Sequence, residues 1–182
     1  SNSFTRWMKI DGDPAQHYLT RMEWSDVNEL VVQQLDRKQQ ESRLIYCNAT
    51  DGNTRTFWAE NDDAWVDLNS DNPVGWNWIN NKQEFLWISE KDGWRHIYKI
   101  SRDGKVTTLL TRGNYDIDQI KAVDEENNYV YFTASPDNPC QSYLYRVKMN
   151  AVSKNEKDES AELVSDGSQK GTHDYVISPK GR

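Results

Sequence analysis

Three dense apolar runs recur along the chain. They lie at residues 29–32, 85–88 and 129–132 and read ELVV, FLWI and YVYF. A strand with one face in water would alternate apolar and polar positions, whereas these runs are apolar at successive positions. They therefore predict β-strands whose two faces are both covered by other parts of the protein.

Each apolar run belongs to a unit that repeats. An earlier strand and a polar turn precede each run, and a segment in which tyrosine follows an apolar residue comes after it. These tyrosines, Tyr46, Tyr98 and Tyr145, are 52 and 47 residues apart (98 − 46 and 145 − 98). Four short antiparallel strands in roughly 50 residues are the strand count and period of a β-propeller blade. A β-sandwich is disfavoured, because its strands need one wet face.

The first two units share a turn between their third and fourth strands. Asp51-Gly52 and Asp103-Gly104 stand between alternating runs. Both residue types tolerate positive φ, which tight hairpins require. The two dipeptides therefore predict β-hairpins.

The repeat predicts an all-β fold, a partial β-propeller that occupies residues 1–182 as a single fragment. About three complete blades are expected, with partial blades at both ends. Their approximate bounds are 17–62, 74–112 and 115–166, with a last strand at 4–11 and a first strand at 171–182. Closed propellers need roughly four to eight blades, so we interpret the chain as part of a longer propeller. A homodimer or a strand swap is our hypothesis for how such a fragment protects its outer blade faces.

Composition supports the all-β prediction and argues against some partners. Eight Trp, nine Tyr and four Phe carry much of the apolar area, although hydrophobic residues make up only 36% of the chain. Such rings bury a large area each, so the core need not be rich in leucine. The net charge of −7, without a basic stripe, argues against binding to nucleic acid or to an anionic membrane surface. No stretch approaches the roughly 18 apolar residues of a membrane span.

The sequence contains no complete catalytic, metal or cofactor motif. It lacks the nucleophile elbow Gly-x-Ser-x-Gly, the zinc motif His-Glu-x-x-His and a phosphate-binding glycine loop. His17, His96 and His173 stand in different repeats, so we expect no metal site, and no cofactor is implied. Cys47 and Cys140 are too few for a disulfide framework, and the expected role of each is a small buried hydrophobe.

A tryptophan-rich stretch at residues 64–78 has two interpretations. Exposed Trp65, Trp76 or Trp78 could stack on sugars in a glycan-binding domain, whereas packing within blades is the simpler use of these rings. The polar insert at 67–73 joins the first complete blade to the next. It is therefore expected on a rim, where binding loops gather. The charged stretch at 153–160 predicts a solvated loop.

Two stretches resemble a known family. FLWISEKDGWRHIY at 85–98, preceded by WVDLN at 65–69, resembles the N-terminal propeller domain of the dipeptidyl peptidase IV family of serine peptidases. Residues 17–52 resemble the preceding blade of those enzymes. The resemblance implies a prolyl oligopeptidase-type parent that releases N-terminal dipeptides, typically Xaa-Pro or Xaa-Ala. Its propeller would cover the active site and admit peptide substrates.

The resemblance also implies what this chain lacks. The family's catalytic Ser, Asp and His belong to a C-terminal α/β-hydrolase domain, the implied partner, so the chain should carry no catalytic residue and be inactive alone. The family's paired glutamates, which hold the substrate amino group, have no match here. In some members an arginine follows the matching Trp-Val pair. None follows Trp65-Val66, and Asp67 and Asn69 are instead the candidates to line the substrate channel.

Within the family signature, Trp94, Arg95 and His96 are interpreted as structural. Trp94 is expected to pack in the blade. A buried Arg95 would need a carboxylate partner, for which Glu90 and Asp92 are the candidates. The family is usually membrane-anchored, periplasmic or secreted, which sets the expected location. The alternative functions are a free-standing propeller that binds peptides or proteins, and the glycan-binding domain.

Overall fold

A computed structural model describes residues 5–68, 75–150 and 161–178. These residues contain twelve β-strands and no helix, and so none that is long and apolar enough to cross a membrane. The strands form three four-stranded antiparallel sheets. The predicted all-β class with four-stranded antiparallel blades is confirmed.

The first sheet contains β1 (His17–Asp26), β2 (Glu29–Asp36), β3 (Glu41–Asn48) and β4 (Thr54–Asn61), in that order. Its middle strands are the buried ones. Val31 and Val32 of β2 are 0% and 2% exposed although they point to opposite faces. The sheet is therefore covered on both sides at this run, as its unbroken apolar pattern predicted.

The second sheet contains β5 (Asn77–Ile79), β6 (Glu84–Ser89), β7 (His96–Ser101) and β8 (Thr107–Leu109), and the third contains β9 (Ile117–Asp124), β10 (Tyr129–Ala134), β11 (Tyr143–Lys148) and β12 (Glu162–Leu163). Both are ordered as the chain runs. One hydrophobic core includes side chains of both sheets, among them Leu86, Ile97, Val130 and Phe132. Burial of this apolar surface is the main force that holds the two sheets together.

The chain divides into two compact units. The first unit comprises Ser1–Trp76 and Arg102–Lys105, and the second unit comprises Asn77–Ser101 and Val106–Arg182. The turn between β7 and β8 thus belongs to the first unit. There the hydroxyl of Tyr46 donates a hydrogen bond to the carbonyl of Arg102 at 2.9 Å, and the Arg102 guanidinium contacts the Glu29 carboxylate at 2.6 Å.

Both predicted Asp-Gly hairpins are present. Gly52 and Gly104 adopt φ of 75° and 76°, in the left-handed region that glycine enters without steric cost. Neither Asp51 nor Asp103 has positive φ. Their carboxylates instead accept hydrogen bonds from backbone N–H groups two residues further on, the local bonding that favours aspartate in turns.

Within the described residues, neither 5–11 nor 171–178 forms the strand that the pattern predicted. Residues 5–11 lie beside the start of β4, where the Lys9 N–H donates to the Gly52 carbonyl and the Lys9 carbonyl accepts from the Thr54 hydroxyl. Residues 171–178 contribute a single bridge, between Ser142 and Thr172. Isolated bonds of this kind do not make the repeated ladder that defines a strand. Residues 153–160 and 179–182 lie outside the described part of the chain.

Candidate functional site

The family signature lies in the turn between β6 and β7, where β7 begins at His96. Ile97 is 0% exposed and His96 is 2% exposed, whereas Trp94 is 38% exposed. The expectation that Trp94 packs in the blade is therefore wrong. Trp94 precedes the strand, so its ring is not enclosed between sheets and instead borders a surface cavity.

An Asp–His pair lies in this turn, in which the imidazole is buried and the carboxylate is exposed. His96 Nδ1 is 2.9 Å from Asp92 Oδ2. Because an ionised carboxylate can only accept, Nδ1 carries the proton in this bond. Desolvation raises the pKa of Asp92, but the hydrogen bond from His96 and the charge of its ring lower it, and the net shift is downward. The other ring nitrogen, Nε2, is buried and has no hydrogen-bond partner among the described residues. Within the described residues, the pair therefore orients an imidazole whose Nε2 is bonded to no nucleophile.

Arg95 takes part in this turn through its backbone. Its N–H donates to Asp116 Oδ1 at 2.7 Å, and its carbonyl accepts from the Ile117 N–H at 2.8 Å. Glu90 and Asp92 were the predicted carboxylate partners of the Arg95 side chain. Asp92 accepts a hydrogen bond from His96. The Arg95 backbone thus ties the turn before β7 to the start of β9. The structural role of the Trp94-Arg95-His96 signature stays a prediction.

The candidate channel residue Asp67 lies next to an arginine from another part of the first unit. Burial lowers the pKa of Arg21, and the negative charge of Asp67 opposes this shift. Arg21 belongs to β1 and is distant along the chain from Trp65-Val66, so the residues directly after that pair give no sign of it. A nearby residue of β1, Glu23, accepts a hydrogen bond from the Trp76 indole at 3.0 Å. Asn69, the second candidate, lies outside the described residues.

The three candidate sugar-stacking tryptophans differ in exposure. Trp76 is 3% exposed and Trp65 is 55% exposed. Trp78 is half-buried and packs its ring against Phe85, with centroids 5.5 Å apart. Trp76 and Trp78 are therefore packing residues, and Trp65 alone of the three presents an open ring to solvent.

The two cysteines lie in different environments. Cys47 is fully buried, as predicted, and burial raises the pKa of its thiol to about 11. Cys140 is exposed, so the prediction of a buried hydrophobe is wrong for it. Cys140 belongs to the loop between β10 and β11, where no sheet covers the side chains. Among the residues described, no group of His, Cys, Asp and Glu is arranged to hold a metal ion.

Four-stranded antiparallel sheets connected in sequence order are the blades of a β-propeller, and comparison with solved structures agrees. The dipeptidyl peptidase 4 of Porphyromonas gingivalis superposes with a TM-score of 0.75 at 23% identity, over 95% of this chain and 22% of that one. A putative dipeptidyl aminopeptidase IV from Bacteroides ovatus gives a TM-score of 0.74 at 19% identity, over 96% and 26% of the two chains.

Sequence comparison identifies the family. The profile described as "Dipeptidyl peptidase IV (DPP IV) N-terminal region" matches residues 1–182, so the chain belongs to this family. A probable dipeptidyl peptidase 4 from Emericella nidulans is 27% identical over 74% of the chain. A dipeptidyl peptidase 4 from Trichophyton rubrum is 32% identical over 65% of the chain. The matched regions amount to 18% and 16% of the lengths of those two relatives.

Proposed function

We propose that this chain is the non-catalytic propeller part of a serine exopeptidase of dipeptidyl peptidase IV type, and that it gates and helps to bind the peptide substrate. The parent enzyme releases N-terminal dipeptides of Xaa-Pro or Xaa-Ala type. The observation that carries the proposal is the family match over residues 1–182. The hydrolase chemistry is assigned to a C-terminal α/β-hydrolase domain, the partner of these blades in the parent chain.

The geometry supports a binding role more than a catalytic one. His96 is the one buried histidine among the described residues, and its Nε2 makes no hydrogen bond to any of them. General-base catalysis needs a nucleophile or substrate proton within hydrogen-bond reach of the base. Loops at the ends of rigid strands are the usual place for binding residues. Asp67 occupies such a loop between β4 and β5.

The first experiment tests where catalysis resides. The purified 182-residue chain is expected to leave Gly-Pro-p-nitroanilide intact, and the product of the full open reading frame is expected to hydrolyse it. Serine-directed inhibition should abolish that hydrolysis. Turnover by the chain alone, or an open reading frame without a hydrolase domain that carries Gly-x-Ser-x-Gly, contradicts the proposal.

The second experiment tests the substrate-binding role of Asp67 in the full-length enzyme. Asp67→Asn should raise KM for a dipeptide substrate roughly two- to fivefold, since a partly exposed charge contributes up to about 1 kcal/mol. The value of kcat should not change, because the contact lies away from the reacting atoms. Asp63→Asn, an exposed aspartate on the same connection, is the matched control. Equal KM for wild type and Asp67→Asn rules out the role of Asp67.

The proposal includes a location outside the cytoplasm, in a periplasmic, secreted or membrane-anchored form. Its support is the family membership alone. Fractionation of the source cells tests it, and recovery of the parent protein only with cytoplasmic markers contradicts it.

A further inference from the structure

A cavity of about 470 Å³ opens on the second unit. Three loops form it: the turn before β7, the chain that enters β9, and the loop between β10 and β11. Its size lies within the range of pockets that hold small ligands or side chains of a partner. The concavity is built by loops that the two sheets hold in place, which is the usual construction of a binding site.

The charge of the cavity wall has one sign. The acidic residues Asp116 and Asp118 line the cavity, and no lysine, arginine or histidine of the described part of the chain does. Backbone and side-chain donors hold both carboxylates in place, because Asp116 accepts from the Arg95 N–H at 2.7 Å and Asp118 accepts from the Thr133 hydroxyl at 3.2 Å. Each bond engages one oxygen of its carboxylate. The cavity therefore presents two oriented negative charges to a ligand.

The rest of the wall combines apolar surfaces with an unused polar atom. The indole of Trp94 is 38% exposed, and Pro136 and Pro139 also line the cavity. Ser142, another lining residue, is only 8% exposed, and its hydroxyl oxygen has no hydrogen-bond partner within the described residues. A buried polar atom without a partner carries a free-energy cost, which a ligand that donates a hydrogen bond would remove.

We propose that this cavity binds an organic cation, an ammonium or guanidinium group carried on an apolar stem. Asp116 and Asp118 neutralise its charge, the Trp94 ring contributes a cation–π contact, and the Ser142 hydroxyl accepts one of its hydrogen bonds. The prolines cover the stem. This inference does not rest on the proposed peptidase function. It uses only the geometry of residues in the second unit of the chain.

The test is an NMR titration of the 182-residue chain with four soluble probes. N-acetyl-arginine amide and N-acetyl-lysine amide carry a side-chain cation, and alanine amide carries only an α-ammonium group. N-acetyl-citrulline amide is the neutral isostere of the arginine probe. Saturable shifts at Trp94 and residues 114–118 with at least one cationic probe, and none with citrulline amide, are the expected result. The cationic probe that binds shows whether the cavity takes a guanidinium, a side-chain ammonium or an α-ammonium group.

Two substitutions test the electrostatic argument. Asp118→Asn keeps an oxygen for the Thr133 hydroxyl but removes one charge, and it should weaken binding roughly fivefold. Asp137→Asn removes a charge from the loop between β10 and β11 at a position that does not line the cavity, and it should leave the affinity unchanged. Unchanged thermal unfolding of both variants verifies that they fold.

Three results overturn the proposal. The first is the absence of saturable shifts with every cationic probe at its solubility limit. The second is equal binding of the arginine probe and its citrulline isostere. The third is an equal loss of affinity in Asp118→Asn and Asp137→Asn, which means that the overall negative charge of the chain attracts the probe without a defined site.

Discussion

Gly104, in the turn between β7 and β8, packs directly against the backbone of β4. A Cβ atom built on Gly104 would lie 1.7 Å from the Phe57 carbonyl oxygen, whereas real Cβ contacts essentially never fall below 3.0 Å. Gly104→Ala must therefore separate the turn from β4 by at least 1.3 Å (3.0 − 1.7). The atom in the way is backbone, so no side-chain rotation relieves the clash.

The cost of Gly104→Ala has two parts. Alanine at φ of 76° loses about 1–2 kcal/mol because its Cβ crowds the backbone. Displacement of the turn also weakens the bond from Tyr46 to the Arg102 carbonyl and the contact of Arg102 with Glu29. These contacts contribute about 1 kcal/mol each, so we expect a total loss of about 3–4 kcal/mol.

Gly93→Ala is the matched control. Gly93 also has positive φ, of 94°, but a Cβ there meets nothing within 4 Å. The loss of stability in Gly93→Ala should therefore come only from the strain of alanine at positive φ. Urea unfolding of the 182-residue chain, followed by tryptophan fluorescence, should place Gly104→Ala roughly 2 kcal/mol below Gly93→Ala, or ~4–8 °C lower in Tm. Equal losses for the two variants refute the close packing of the turn on β4.

Three further predictions concern the Asp92–His96 pair, Tyr46 and the two cysteines. The pKa of Asp92 is lowered in the folded chain, so its pairing with His96 stabilises the fold above the unfolded pKa of about 3.9 and is lost as the pH falls through the folded value. As the pH is lowered, Tm should therefore fall less steeply in Asp92→Asn than in the wild type. An equal fall of Tm in both proteins contradicts the pairing. Tyr46→Phe should cost about 1 kcal/mol in urea unfolding, since it removes the 2.9 Å bond to a backbone carbonyl, and a neutral effect argues against that bond. At about pH 8, a thiol reagent should modify exposed Cys140 in the native chain and reach Cys47 only after unfolding, because only a thiolate reacts and burial raises the Cys47 pKa to about 11. Rapid native modification of both thiols contradicts this difference.

Much of the fold could be predicted from local pattern. Successive apolar positions in β2, β6 and β10 indicated strands covered on both faces, and Asp-Gly marked two hairpins. These features follow from neighbouring residues, because side-chain alternation and turn conformation act over a few positions. The described part of the first end shows the limit of such patterns: residues 5–11 have strand-like residues but lack a continuous ladder with a neighbour.

The candidate site depended far more on the tertiary structure. Sequence pattern found the Trp94-Arg95-His96 signature, but it could not show that Trp94 is exposed and that His96 is buried on Asp92. It also missed Arg21 beside Asp67, since the two residues belong to a strand and a connection that are distant along the chain.

The sequence by itself determined the repeated four-stranded unit, its buried middle strands and its glycine turns. Family membership also rests on sequence, through the match over residues 1–182. Only the tertiary structure decided which loops meet, and therefore where charge and open ring surface come together. The cavity shows why, because its walls join residues as far apart as Trp94 and Thr172. Such contacts depend on how whole sheets pack, which no short-range pattern specifies.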